Sequence, residues 1–368
     1  MPAVGVPQRE FAGIMAQHGM LLLALAILAW PLGGLAGGLC HWDCLWYEQI
    51  ATRGYGVAPR TDAADLGQAA WAFFPLYPLL LRAVMDASGL GAHAAGVAIN
   101  AALFPVLVAL AAAYLRQRCG GDRADRAFRI AMLMVLPTGL WFRLPYTECL
   151  YAVLLLGCVM ALARGWCLGA ALLAAALCLT RPTGVICVLI AGLFHGLART
   201  PIPGGAPAAR PVRLLEGAAV VAAGGAGLAL YILFLDRMLG DGLAFAHVQA
   251  AWGHQWRLPV LWIWKGFTRG RWVHLAIAAL LEIALIIWGF RIRWRMEAAI
   301  VLATFLLACS GSIMSIHRIV LANPFAMILL VRLACAAPPR WRRPLILLCL
   351  ILDAALAENW LQGGHLLV

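Results

Sequence analysis

Between Gly19 and Leu39 the chain carries no ionisable side chain. One α-helix needs ~20 predominantly apolar residues to cross the hydrocarbon core of a bilayer. Further apolar runs follow at 92–115, 127–142, 146–163, 166–180, 183–199, 214–236, 273–290, 297–313, 318–336 and 343–360. No water in the bilayer core can hydrogen-bond a backbone N–H or C=O, so a spanning segment must satisfy its own, as a helix does. The expected fold class is therefore an all-α polytopic membrane protein, a single domain over residues 1–368, with about 11 transmembrane helices. The 19–39 run is expected to stay as an uncleaved first helix, because no A-x-A site closes it. Residues 71–85 are apolar but carry Pro75, Pro78 and Arg82, which suits a re-entrant or interfacial helix. The 166–199 stretch, interrupted at Thr180-Arg181-Pro182, reads as two spans, with one kinked helix as the alternative.

Composition bears on partners and compartment. Hydrophobic residues make up 64% of the chain and charged residues 12%, which lies outside the soluble range. The formal net charge is +12, and Lys265 is the sole lysine. A basic balance can serve nucleic acid. Here the arginines sit in short loops between apolar runs, so the expected partner is the lipid bilayer and not nucleic acid. With a cytoplasmic N-terminus, seventeen of the twenty-eight basic residues fall on the cytoplasmic side, many within 116–129, 291–295 and 340–343. The positive-inside rule favours that orientation. It places a Pro/Gly/Ala linker, 201–211, on the cytoplasmic side. It also gathers a long first outer loop (40–90), residues 143–148, Arg181, a late outer loop (237–272) and His317-Arg318 on the opposite face.

Eleven cysteines lie mostly inside apolar runs, where they act as small hydrophobes. Cys40 and Cys44 flank a polar motif; an oxidising face would let them pair, but the expectation is two free thiols. No Cys-x-x-Cys and no His-Glu-x-x-His occurs, so no zinc is expected. No Asp-x-Asp, P-loop or dinucleotide fingerprint occurs either. The expectation is no metal, no cofactor and no nucleotide-sugar donor.

The richest polar stretch runs from Leu39 to Tyr55, directly after the first apolar run. As a helix it would set Trp42 and Trp46 on one face, and Asp43 and Tyr47 on the next. A carboxylate at a membrane edge is costly and rare unless used. Asp43 reads either as the N-cap of a short interfacial helix or as a base whose partial desolvation strengthens it. Glu48, on another helical face, is the second candidate base. Glu148 reads as a first-turn acid favoured by the helix dipole or as a site residue. Arg181 and Arg318, the latter beside His317, read as snorkelling arginines or as phosphate ligands, for which a guanidinium fork is suited. In the late loop, Gln249 and Trp252 suit sugar binding, with an interfacial aromatic girdle as the plainer account. Glu282 and Asp353 lie inside apolar runs and find no account in the sequence.

The pattern H-W-D-x-x-W-Y-x-x-I-A-x-x-G-Y, from His41 to Tyr55, is followed by Phe73-Phe74-Pro75-Leu76-Tyr77-Pro78. Together these resemble the PIG-V-type mannosyltransferases, multi-spanning glycosyltransferases of the GT-C class. In eukaryotes that family adds the second mannose of the GPI anchor, in α-1,6 linkage; bacterial chains resemble it without making GPI. Pro145-Tyr146-Thr147-Glu148, Thr180-Arg181-Pro182-Thr183-Gly184 and the arginine at 318 are similar to later family signatures. The resemblance implies a GT-C-type helical bundle that moves mannose, with inversion, from a polyprenyl-phosphate mannose donor to a glycolipid or glycan acceptor. It implies Asp43 as the general base. It implies substrate contacts from His41, Trp42, Trp46, Tyr47, Arg53, Tyr55, Phe74, Pro75, Tyr77, Tyr146, Glu148, Arg181, Gln249, Trp252, His317 and Arg318. The Ala- and Arg-rich composition leans towards a bacterial inner membrane with the site facing the periplasm or exterior; in a eukaryote it would face the ER lumen. The rival expectation is a transporter or lipid flippase, which also uses broken spans but should bury several ionisable residues near mid-span and show two matching halves.

Overall fold

A computed structural model describes residues 7–62, 66–197 and 209–364. Most of the expected 201–211 linker lies outside the described residues. Among those residues there are eighteen α-helices and no strand. Helix α1 (Gln8–Ala29) runs through a 3₁₀ turn into α2 (Gly34–Leu39), then α3 (Asp43–Arg53), α4 (Leu76–Ser88) and the long α5 (Ala92–Cys119). Next come α6 (Arg123–Val135), the single turn α7 (Leu140–Arg143) and α8 (Glu148–Ala163). They are followed by α9 (Cys167–Cys178), α10 (Thr183–Leu197), α11 (Arg210–Leu239), α12 (Ala244–His247) and α13 (Pro259–Thr268). The chain closes with α14 (Val273–Arg291), α15 (Arg295–Gly311), α16 (Ile316–Leu321), α17 (Pro324–Ala334) and α18 (Arg342–Leu361).

Five helical stretches are long and apolar enough to cross a membrane: Gln8–Leu32, Ala92–Cys119, Arg210–Leu239, Val273–Arg291 and Pro339–Leu361. A sixth results if Pro137–Arg143 and Glu148–Ala163, bent by 100°, form one broken span. The protein is thus all-helical and multi-pass, and of the expected 11 or so spans five or six meet this length and composition as continuous or once-broken helices. Several of the other runs are shortened by proline, which removes a backbone donor and clashes with the preceding turn. Breaks at Pro137, Pro145, Pro182 and Pro324 leave short helices there; α9 has 12 residues, α10 has 15 and α17 has 11, whereas the proline-free α15 runs for 17. Residues 71–85 likewise contain only α4, whose 13 residues bury Tyr77, Pro78 and Leu81.

The 166–199 stretch is two antiparallel helices. Gly165 lies beside Glu216 and Ala175 beside Gly227, so α9 runs alongside α11. Past the turn the order reverses: Val188 meets Gly224, Gly192 meets Gly217 and Gly196 meets Leu214. A Cβ built on Gly217 would stand 2.5 Å from the Gly192 carbonyl oxygen, so the two backbones touch. Small residues at helix crossings permit that approach. The turn of this hairpin carries Arg181.

The 28 residues of α5 span about 42 Å at 1.5 Å per residue, and the bundle's two ends differ in chemistry. At the N-terminal end of α5, His93 meets Glu48 of α3 at 2.9 Å. At its C-terminal end, Arg116 and Arg126 meet Glu10 at 3.5 and 3.0 Å, Arg118 meets Glu297 at 3.2 Å, and nearby Arg342 meets Asp125 at 2.7 Å. Asp353 of α18 forms a buried ion pair with Arg143 of α7, which gives it the account the sequence lacked. Glu282 is buried with neither carboxylate oxygen hydrogen-bonded, and nothing else among the described residues explains it.

Candidate active site

The path into α3 sets the site. The chain leaves α2 at Leu39, turns through Cys40, His41 and Trp42, and starts α3 at Asp43. Cys40 and Cys44 are joined in a disulfide, contrary to the expected free thiols. The helix start folds Cys44 back over Cys40, leaving their Cα atoms 5.3 Å apart, within bonding range of the two sulfurs. His93 comes within 4.8 Å of both sulfurs. Because these are bonded to each other, they offer no thiolate pair to a metal.

Asp43 does not cap its helix. Trp42 holds the cap position and makes no side-chain cap bond. The Asp43 carboxylate instead accepts a hydrogen bond from Arg318, Nη2 to Oδ2 at 2.7 Å. Arg318 also lies 3.5 Å from Glu148 Oε1, and Arg181 Nη2 donates to the same oxygen at 2.9 Å. Four charges of alternating sign, Asp43, Arg318, Glu148 and Arg181, thus form one connected row. Burial alone would push the Arg318 guanidinium down; the Asp43 and Glu148 carboxylates hold it up, so it stays charged.

The row borders a cavity of about 940 Å³. Asp43, Arg181 and Arg318 line it, as do His41, Trp42, Trp46, Tyr47, Phe74, Gln249 and Trp252. The first outer loop, the α9–α10 turn, the late loop and the α16 start therefore meet at one place. Trp46 stacks on Phe73 with centroids 5.6 Å apart, and Trp252 stands edge-on to both at 5.9 and 6.0 Å. Burial, and then the Asp43 charge, push the Tyr47 phenol up, so it can donate a hydrogen bond but not serve as a base. Burial pushes His41 and His254 down, which leaves both imidazoles neutral at pH 7.

The remaining expected residues stand apart from the cavity. Glu148 is wholly buried, pairs with both arginines and is absent from the cavity lining. Tyr146 is also buried; its hydroxyl donates to the His41 carbonyl at 2.7 Å, and Arg318 sits 5.2 Å over its ring. Tyr77 packs edge-on beneath Tyr47 at 5.1 Å, and Pro75 caps α4. Tyr55 donates to the Phe73 carbonyl at 2.6 Å and fixes the loop. His317 turns its ring to Trp141, 5.3 Å away. Arg53 is exposed at the end of α3. Glu48, the second candidate base, pairs with His93 outside the cavity.

The structure adds Arg60, Tyr151, Thr180, Thr183, His254, Thr304 and Ser315 to the lining. Tyr151 was within reach of the sequence: it lies three residues after Glu148, on the same helix face. Arg60 was not, because its stacking over Trp46 at 3.8 Å depends on how the loop folds back. No family model matches the chain, and no curated protein or solved structure matches it either. Chemically, the cavity offers one carboxylate, three guanidinium groups, of which Arg60 is stacked on Trp46, and an aromatic wall with neutral hydrogen-bonding groups. Such a set suits an anionic phosphate together with a polyhydroxylated, partly apolar group.

Proposed function

We propose that this protein is an integral-membrane glycosyltransferase of GT-C type, moving mannose from a polyprenyl-phosphate mannose donor to a glycolipid or glycan acceptor. The observation that carries the reading is the Asp43–Arg318 contact at the rim of a cavity that Arg181 also lines. It sets a base beside two phosphate-binding groups, which is what an inverting transfer from a phosphosugar needs. In that step Asp43 takes the proton of the acceptor hydroxyl as its oxygen bonds to the anomeric carbon. The bond from that carbon to the phosphate oxygen breaks on the opposite side. Negative charge builds on the departing polyprenyl phosphate, and Arg181 and Arg318 steady it. Glu148 behind them holds both forks in place. The disulfide at 40–44 supports placing this end of the molecule in an oxidising compartment, such as a bacterial periplasm. The arginine-rich opposite end would then face the cytoplasm. A transporter finds less support, since Asp353, one of the two mid-run acids, is engaged in tying α18 to α7.

The test is incubation of the purified protein with polyprenyl-phosphate mannose and a membrane lipid extract, followed by mass spectrometry. A lipid or glycan product heavier by one hexose is expected, and an unconsumed donor would sink the proposal. Arg181→Lys keeps the charge but loses the fork, so turnover should fall on the order of 10²–10³-fold.

A further inference from the structure

We infer that the Cys40–Cys44 disulfide is a positioning device for the Asp43 carboxylate, holding the turn from which Asp43 reaches Arg318. The inference rests on Asp43 being the reacting base. The two sulfurs close a five-residue ring that contains Asp43. Inside that ring Trp42 adopts φ 44° and ψ −107°. A bulky residue at positive φ is costly and persists only where its surroundings over-determine it. On the upstream side, three contacts do so. Tyr146 donates to the His41 carbonyl at 2.7 Å, Trp360 donates to the Leu39 carbonyl at 3.2 Å, and the Trp42 ring stands edge-on to Trp360 at 4.9 Å. Downstream, the first turn of α3 is joined to this clamp by two backbone bonds, from the Cys44 and Leu45 amides to the His41 and Trp42 carbonyls, each 3.1 Å. The disulfide is the covalent link across the same gap. Without it, Trp42 can relax to negative φ, and the start of α3 rotates with it. Asp43 is the first residue of that helix, so its carboxylate leaves Arg318 and the cavity rim. A displacement of about 1 Å at a reacting group can cost on the order of 10²-fold in rate.

Two readouts test this on the purified full chain. The first is independent of transfer: carbodiimide labelling of the Asp43 carboxylate, followed by peptide mass spectrometry, in oxidised protein and in protein reduced by a phosphine. The phosphine supplies two electrons, the disulfide becomes two thiols, and the phosphine leaves as its oxide. Labelling of Asp43 should rise at least about 5-fold on reduction and return on reoxidation. An unchanged rate would overturn the inference. The second readout compares wild type, the Cys40→Ser/Cys44→Ser variant, Asp43→Asn and the triple variant, at matched amounts of folded protein. Loss of the disulfide should lower kcat about 10- to 100-fold with donor Kd within about 3-fold. It should cost nothing further in the Asp43→Asn background, because the two changes act on one group. Equal kcat with and without the disulfide, or a loss that multiplies with Asp43→Asn, would overturn it. Should the serine variant fold poorly, reduced and reoxidised wild type supply the same comparison. Wild type that transfers no mannose yet shows the labelling change would refute the proposed function and leave the positioning role standing.

Discussion

At the scale of single residues, the Asp43–Arg318 contact separates two readings the sequence left level. A capping aspartate would turn its carboxylate to its own helix; this one turns to an arginine 275 residues away. Asp43→Asn preserves size and can still hydrogen-bond Arg318, but it cannot take a proton. Turnover of the lipid donor should fall about 10²–10⁴-fold with donor binding largely kept; near-normal turnover would remove Asp43 as the base. Glu148 makes the complementary case. It is buried between two arginines, and removing one partner of a buried ion pair strands the others. Glu148→Gln should therefore lower stability by about 3 kcal/mol, read as the shift in a thermal or denaturant unfolding curve. A change under about 0.5 kcal/mol would mean that Arg181 and Arg318 do not depend on it. The identities of these four residues were legible in the chain because ionisable groups stand out in apolar surroundings. Their pairing was not, since nothing local to Glu148 says that it lies behind the arginines and not in front of them.

At the scale of elements, the sequence shows where apolar runs lie but not how many helices each makes. The 127–163 region reads as two spans; the structure breaks it into α6, α7 and α8, with a 100° bend between the last two. The bend brings Tyr146 and Glu148 to the cavity end, and it needs support because residues 144–147 lack a helical ladder. Asn100 on α5 supplies it. Its Nδ2 donates to the carbonyls of both Leu144 and Tyr146, the latter at 3.0 Å, and Gly96 one turn earlier leaves room for Pro145. A lone Asn in an apolar helix carries no visible reason in sequence; here it satisfies the Tyr146 carbonyl, which would otherwise be buried unpaired, and adds a second donor to the Leu144 carbonyl, which also accepts from the Tyr146 amide at 2.7 Å. Asn100→Ala should cost about 2 kcal/mol of stability, measured by thermal unfolding in detergent. It should also lower transfer activity through Tyr146 and Glu148, which that bend places. A variant as stable as wild type would mean that water or another group satisfies the Tyr146 carbonyl.

At the scale of the whole molecule, two chemically distinct ends stand one helix length apart. The cavity, the disulfide and the Asp43–Arg318–Glu148–Arg181 row occupy one end. The arginines of 116–129 and Arg342 occupy the other. Charge counting alone sorted these groups into two sets, because the positive-inside rule acts on loops and needs no tertiary detail. The orientation is testable with single cysteines. The nine free cysteines would be replaced, the disulfide kept, and one cysteine placed at Thr61 or at Arg340. Both positions are exposed, Thr61 beside the cavity and Arg340 beside the arginine-rich end. An impermeant maleimide applied to intact cells should label Thr61→Cys and spare Arg340→Cys until the membrane is opened. Labelling of both from outside would mean that the two ends do not lie across a bilayer. Labelling of Arg340→Cys alone would invert the molecule, put the disulfide and the cavity in a reducing compartment, and remove the support that the disulfide lends to a periplasmic site.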